Sequence, residues 1–129
     1  MAWTVELDSE SGFIHSVYTG IVRRDDVIAG TAETIKVSFS AGRGPHKFLT
    51  EWNHVASRLS TSEIFFIPNE WEAAGVSKKS VMALVVPKRG TAWKDALFYE
   101  NACSNRGWMV RVFDNRNDAV EWLEKQKIA

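Results

Sequence analysis

An unbroken run of six apolar residues, Val81-Met82-Ala83-Leu84-Val85-Val86, closed by Pro87, constrains the fold more than any other segment. A half-exposed strand alternates apolar with polar residues, and this run is too short for a buried helix. It therefore reads as a strand covered on both faces. Such a strand belongs in a parallel sheet with helices above and below, and is expected at the centre of that sheet.

The flanking segments fit this frame. Trp3 to Leu7 and Phe13 to Tyr18 are rich in β-branched and aromatic residues, and the polar cluster Asp8-Ser9-Glu10-Ser11-Gly12 between them predicts a hairpin. From Arg24 to Phe39, the spacing of Ile28, Ala32, Ile35 and Phe39 predicts a helix with those residues inward. Asp25 and Asp26 suit its first turn, although Arg23 and Arg24 are poor caps. Lys47 to Trp52 reads as a short strand. Ser60 with Glu63 forms a capping box, followed by the stripe Ile64, Ile67, Trp71 and Ala74, with Gly75 as terminator. Pro68 is expected to kink or restart that helix. A third helix buries Ala96, Tyr99 and Cys103, with Phe98 and Ala102 beside them. Met109 to Phe113 is the last strand, and Asn115 with Asp118 opens a final helix that buries Ala119, Val120, Trp122 and Leu123. The order is a β-hairpin followed by α-β-α-β-α-β-α. It predicts an α/β fold with a mixed, mostly parallel sheet covered by helices.

At 129 residues the chain has room for a single domain, spanning 1–129, with one core. Sixteen basic residues balance sixteen acidic ones, so no long-range field draws it to phosphate backbones, and nucleic acid is not an expected partner. Cys103 is the only cysteine, which excludes an internal disulfide and fits a reducing compartment. Met1 to Glu6 carries no signal-like pattern, and no transmembrane segment is evident, so a cytoplasmic location is expected. The six tryptophans are unusual in so short a chain, because each indole brings a large apolar surface and an N–H that needs a partner.

Ligands of open α/β sheets sit beyond the carboxyl ends of the strands. There the sequence collects Trp52, Asn53 and His54, then Lys88, Arg89, Gly90, Thr91 and Trp93, then Asp114, Asn115 and Arg116. Lys88 and Arg89 could hold an anionic group, while Trp52 and Trp93 could wall a lipophilic ligand or anchor a partner. Solvated loops with two packed indoles account for the same residues. His15, His46 and His54 lack metal-ligand spacing, so neither a metal site nor a cofactor is expected. Cys103 reads as a small buried apolar residue rather than a reactive thiol. Nucleophile elbows, P-loops and dinucleotide-binding glycines are absent. On the second helix, Phe65, Phe66 and Trp71 offer more apolar surface than one face can bury, which marks them as an interface to a partner or a second copy.

The element order, Gly20-Ile21-Val22 before Asp25-Asp26-Val27, Ala83 to Pro87, Asn105-Arg106-Gly107 before Val110-Arg111-Val112-Phe113, and Ala119-Val120-Glu121-Trp122-Leu123 together resemble the STAS-like domains of the SpoIIAA-like, anti-sigma-factor-antagonist type. The resemblance spans nearly the whole chain. It implies a SpoIIAA-like fold and a non-enzymatic regulatory module that binds a protein partner, such as an anti-sigma-like regulator, or a small lipophilic or anionic ligand. Some such domains are phosphorylated on Ser or Thr at a helix start, which corresponds here to Ser60, Thr61 and Ser62. Capping accounts for Ser60 equally, and the glycine that follows the phosphorylated residue in those members is missing, since none lies between Pro45 and Gly75. The competing reading is a small enzyme using Asn53, His54 and Asp114 at the carboxyl edge of the sheet.

Overall fold

The computed structural model describes residues 2–55, 60–88 and 90–128, without the side chains of His54 and Thr61. The described residues form β1 (Trp3–Leu7), β2 (Ile14–Gly20), α1 (Arg24–Ser40), β3 (Lys47–Val55), α2 (Thr61–Ala74), β4 (Val81–Val85), α3 (Gly90–Ser104), β5 (Met109–Phe113) and α4 (Arg116–Lys125). The strands make one sheet in the order β1-β2-β3-β4-β5. The β1–β2 hairpin is antiparallel and every later pairing is parallel, so the sheet is mixed and the fold is α/β.

Each parallel strand is added beside its predecessor, so crossovers of one hand place their helices on one face. The core divides accordingly. Ile14, Phe48, Met82, Leu84, Val110 and Val112 pack with residues of α2 and α3, and Ile35 and Phe39 of α1 close over them. On the opposite face, Leu49, Val81, Ala83 and Val85 pack against Ala119 and Leu123 of α4. All five residues of β4 are buried, which explains its continuous apolar run. The centre of the sheet is nevertheless β3 and not β4, because the hairpin extends the sheet on its other side.

Local chemistry fixes the helix ends. The Ser60 hydroxyl accepts from the Glu63 N–H at 3.2 Å, and the Asn115 side-chain Oδ1 accepts from the Asp118 N–H at 2.9 Å. The α1 cap runs in reverse, with the Arg23 N–H donating to the Asp26 carboxylate at 2.9 Å. Gly75 ends α2 with φ 82°, a conformation that penalises any side chain. The helix does not restart at Pro68: α2 runs on through Pro68, which is fully buried.

The inward face of α1 differs from expectation. Val27, Gly30, Thr31 and Ser38 are buried, whereas Ile28 and Ala32 are exposed and Ile35 and Phe39 are half-buried. Small residues are needed there because Tyr18 rises from β2 directly beneath Gly30. A Cβ at Gly30 would lie 2.1 Å from the Tyr18 hydroxyl and 2.8 Å from the adjoining ring carbon. Gly30→Ala gains about 1 kcal/mol of helix propensity but overpacks a buried ring, for a net expected loss of about 1–2 kcal/mol in urea unfolding. Tyr18→Phe in the same chain should recover part of that loss, and unchanged or higher stability in Gly30→Ala would contradict this packing.

Four tryptophans find structural roles. Trp71 meets Trp108 and Tyr99 edge to face at 5.3 and 6.3 Å, and Trp122 tilts against Phe113 at 5.7 Å. The Trp108 indole N–H donates to Glu72 at 3.3 Å, and Glu72 also receives two hydrogen bonds from Arg106. Hydrogen bonds from Arg106 and then Lys78 hold the Glu72 carboxyl below the usual carboxylate range. That contribution to stability is present at neutral pH and disappears as acid carries the solution through the lowered pKa. Trp3 packs beside Tyr18 and Val22.

At the far edge of the sheet, the outward N–H of Val112 on β5 donates to the Glu100 carboxylate of α3 at 2.7 Å. No described helix is long and apolar enough to cross a membrane.

Candidate functional site

Strands β2 and β3 run in parallel register with Ser16 beside Thr50 and Tyr18 beside Trp52. These four side chains point toward α1 and α2, because alternate residues of a strand share a face. Above them α1 contributes Val27, Thr31 and Thr34, and α2 contributes Ile67 and Trp71. Tyr99 of α3 reaches in from the side. Together they line a cleft, open to solvent, with a cavity volume of about 60 Å3. Thr34, Thr50, Trp52 and Ile67 keep partial exposure, so the cleft reaches solvent along the seam between α1 and α2.

The walls are aromatic and the polar groups are hydroxyls. Tyr18 and Trp52 stack with centroids 4.9 Å apart and planes 12° from parallel. The Ser16 and Thr50 hydroxyls are 2.9 Å apart, and Thr34 donates to the Gly30 carbonyl at 2.8 Å. Burial pushes the Tyr18 hydroxyl up to about 12, against a smaller opposing effect of its hydrogen bond with Thr31. Burial, then the neighbouring Cys103, raises Tyr99 well above the ordinary range. Both phenols are therefore neutral hydrogen-bonding groups at physiological pH.

The candidates drawn from the sequence separate. Trp52 lies within β3, not beyond its end, because the strand continues to Val55; this turns its ring into the cleft. Asn53, next along β3, is half-buried and belongs to the opposite face. Lys88 is exposed with its ammonium 5.6 Å from the centroid of the half-buried Trp93, and Thr91 is exposed in the first turn of α3. Trp93 packs against the main core and is not among the cleft residues. Arg89 and the side chain of His54 lie outside the described residues, as does the side chain of Thr61. Ser60 caps α2, with its hydroxyl 3.1 Å from that of Ser62, which accepts from Arg24 at 3.4 Å. On α2, Phe65 is exposed and Phe66 half-buried, but Trp71 is buried, which corrects its expected surface role; its ring is taken up by Trp108 and Tyr99.

Ser16, Tyr18, Thr31, Thr34 and Thr50 were not singled out from the sequence. The available signal was hydroxyl residues at inward strand positions together with Gly30-Thr31 in a helix. A second polar feature without a local sequence signal lies on the opposite face: the carboxylate of the buried Glu51 is 2.5 Å from His15 Nε2 and 3.9 Å from Arg116. Among the described residues no group of three or more His, Cys, Asp or Glu is placed to hold a metal ion.

Cys103 is fully buried, and desolvation pushes its thiol up to about 12, with a smaller opposing effect from the Tyr99 hydrogen bond. Thiol-reagent labelling of the native protein should be at least about a thousandfold slower than labelling in denaturant, since it requires extensive opening. Rapid native labelling would contradict this burial. Comparison with protein-family models and with curated proteins finds no match for the chain.

Proposed function

We propose that the chain is a non-enzymatic STAS-like binding module of SpoIIAA-like fold, and that it takes a small lipophilic ligand in the cleft between α1, α2 and the sheet. The observation that carries this reading is the aromatic cleft itself, lined by the Tyr18–Trp52 stack together with Trp71 and Tyr99. Binding pockets combine such apolar walls with a few converging polar groups, here the serine and threonine hydroxyls. The hairpin and the alternating order after it also agree with what the resemblance implies for the chain's architecture.

Titration with the neutral fluorescent probe N-phenyl-1-naphthylamine tests the reading. Saturable binding is expected, and Trp52→Ala should weaken it about tenfold, the scale of one lost aromatic contact. Absence of saturable binding, or equal binding by Trp52→Ala, counts against the cleft.

A protein partner is the second reading, favoured by Phe65 and Phe98. These rings meet edge to face at 5.8 Å across α2 and α3 while remaining 40% and 43% exposed. Light scattering at high concentration checks whether that partner is a second copy: a monomer throughout excludes self-association by this face.

A further inference from the structure

We infer that the cleft selects uncharged ligands, an apolar body carrying one hydroxyl or carbonyl group, with the Ser16–Thr50 hydroxyl pair as the anchor for that group. The inference rests on the ligand-binding reading of the cleft and specifies the class of molecule it admits.

The lining contains no Asp, Glu, Lys, Arg or His among the described residues. An ionised ligand group entering there would leave water without gaining a counter-charge from these lining residues, which is costly. The hydroxyls cannot substitute for one, because most are already committed. Thr34 gives its proton to the Gly30 carbonyl, Thr31 is hydrogen-bonded to Tyr18, and Tyr99 is hydrogen-bonded to Cys103. Ser16 and Thr50 differ. They hold two protons between them and their mutual hydrogen bond uses one, so the second can be donated to a ligand while the oxygens retain accepting capacity. One donor beside acceptors matches an alcohol or a carbonyl. A carboxylate needs several donors, and an ammonium would meet only neutral acceptors.

Size fixes the pose. The cleft, with a cavity volume of about 60 Å3, is smaller than the roughly 150 Å3 cavity that holds a benzene. It therefore holds the head group and the first carbons, while the rest of the body extends past the half-buried Trp52 toward solvent.

A matched series, octanol, octanoate, octylamine and octane, displacing N-phenyl-1-naphthylamine near neutral pH, tests the inference. Octanol should bind at least about 30-fold more tightly than octanoate or octylamine. Thr50→Val, which keeps shape and loses the hydroxyl, and Ser16→Ala should each weaken octanol about fivefold and leave octane unchanged. Equal binding of alcohol, acid and amine overturns the charge selection while the ligand cleft stands. Equal loss of octane and octanol in both variants, each with wild-type unfolding behaviour, overturns the anchor. Failure of the probe itself to bind removes the cleft reading and this inference with it.

Discussion

Truncating Leu123 to alanine is expected to lower the free energy of unfolding by about 3 kcal/mol, the middle of the range for a leucine cut back in a core that cannot collapse around the gap. Leu123 and Ala119 are both fully buried, and α4 carries them onto Leu49, Val81, Ala83 and Val85. Among the described residues no other helix joins this side of the core, so nothing slides in to fill the space. Urea unfolding should show a lower midpoint with an unchanged slope. Val120→Ala, at a half-buried neighbour, serves as the comparison and should cost about 1 kcal/mol or less. Equal small effects at both positions would mean that α4 does not hold that face.

The second large effect centres on Glu51. The residue is 6% exposed, and the close partner of its carboxylate is His15 at 2.5 Å, with Arg116 farther off at 3.9 Å. His15→Ala strands a buried carboxylate with one distant cation, for an expected loss of about 3 kcal/mol, the low end for a broken buried pair. Glu51→Gln removes the charge and keeps a polar group opposite the imidazole, so its cost should be nearer about 1 kcal/mol. Replacing both, His15→Phe with Glu51→Leu, should come close to wild-type stability, because no charge then remains to be desolvated. The ordering of the three variants in urea unfolding is the check. If Glu51→Gln were as damaging as His15→Ala, the loss would come from shape rather than from a stranded charge.

What could be read from the sequence was whatever is decided locally. Val81 to Val86 announced a doubly covered strand because both of its faces are apolar, and Ser60, Asn115 and Gly75 marked helix ends through hydrogen bonds and a positive φ that act within a few residues. Strand order was not legible in that way. An apolar run says that a strand has neighbours and cover, not how many strands lie beyond them, so β4 and β3 could not be ranked. The inward face of α1 was misread for a related reason. Hydrophobic spacing finds the apolar face, but this helix turns Gly30, Thr31 and Ser38 inward because a tyrosine from another element occupies the space beneath it. Glu51 is the sharpest case. A glutamate in a strand reads as solvent-facing, and it is its partners distant in sequence, His15, 36 positions earlier, and Arg116 of α4, that make its burial tolerable.

The hydrogen bond from Val112 to Glu100 bears on how this protein behaves in a crowded solution. A parallel sheet ends in a row of unused backbone groups, and any extended segment with matching spacing can add itself there. Glu100 occupies one of those groups from within the chain and presents its negative charge along the margin, so an incoming strand must displace a carboxylate before it can pair. A single side chain on α3 thus helps keep the growing end of the sheet from acting as a template.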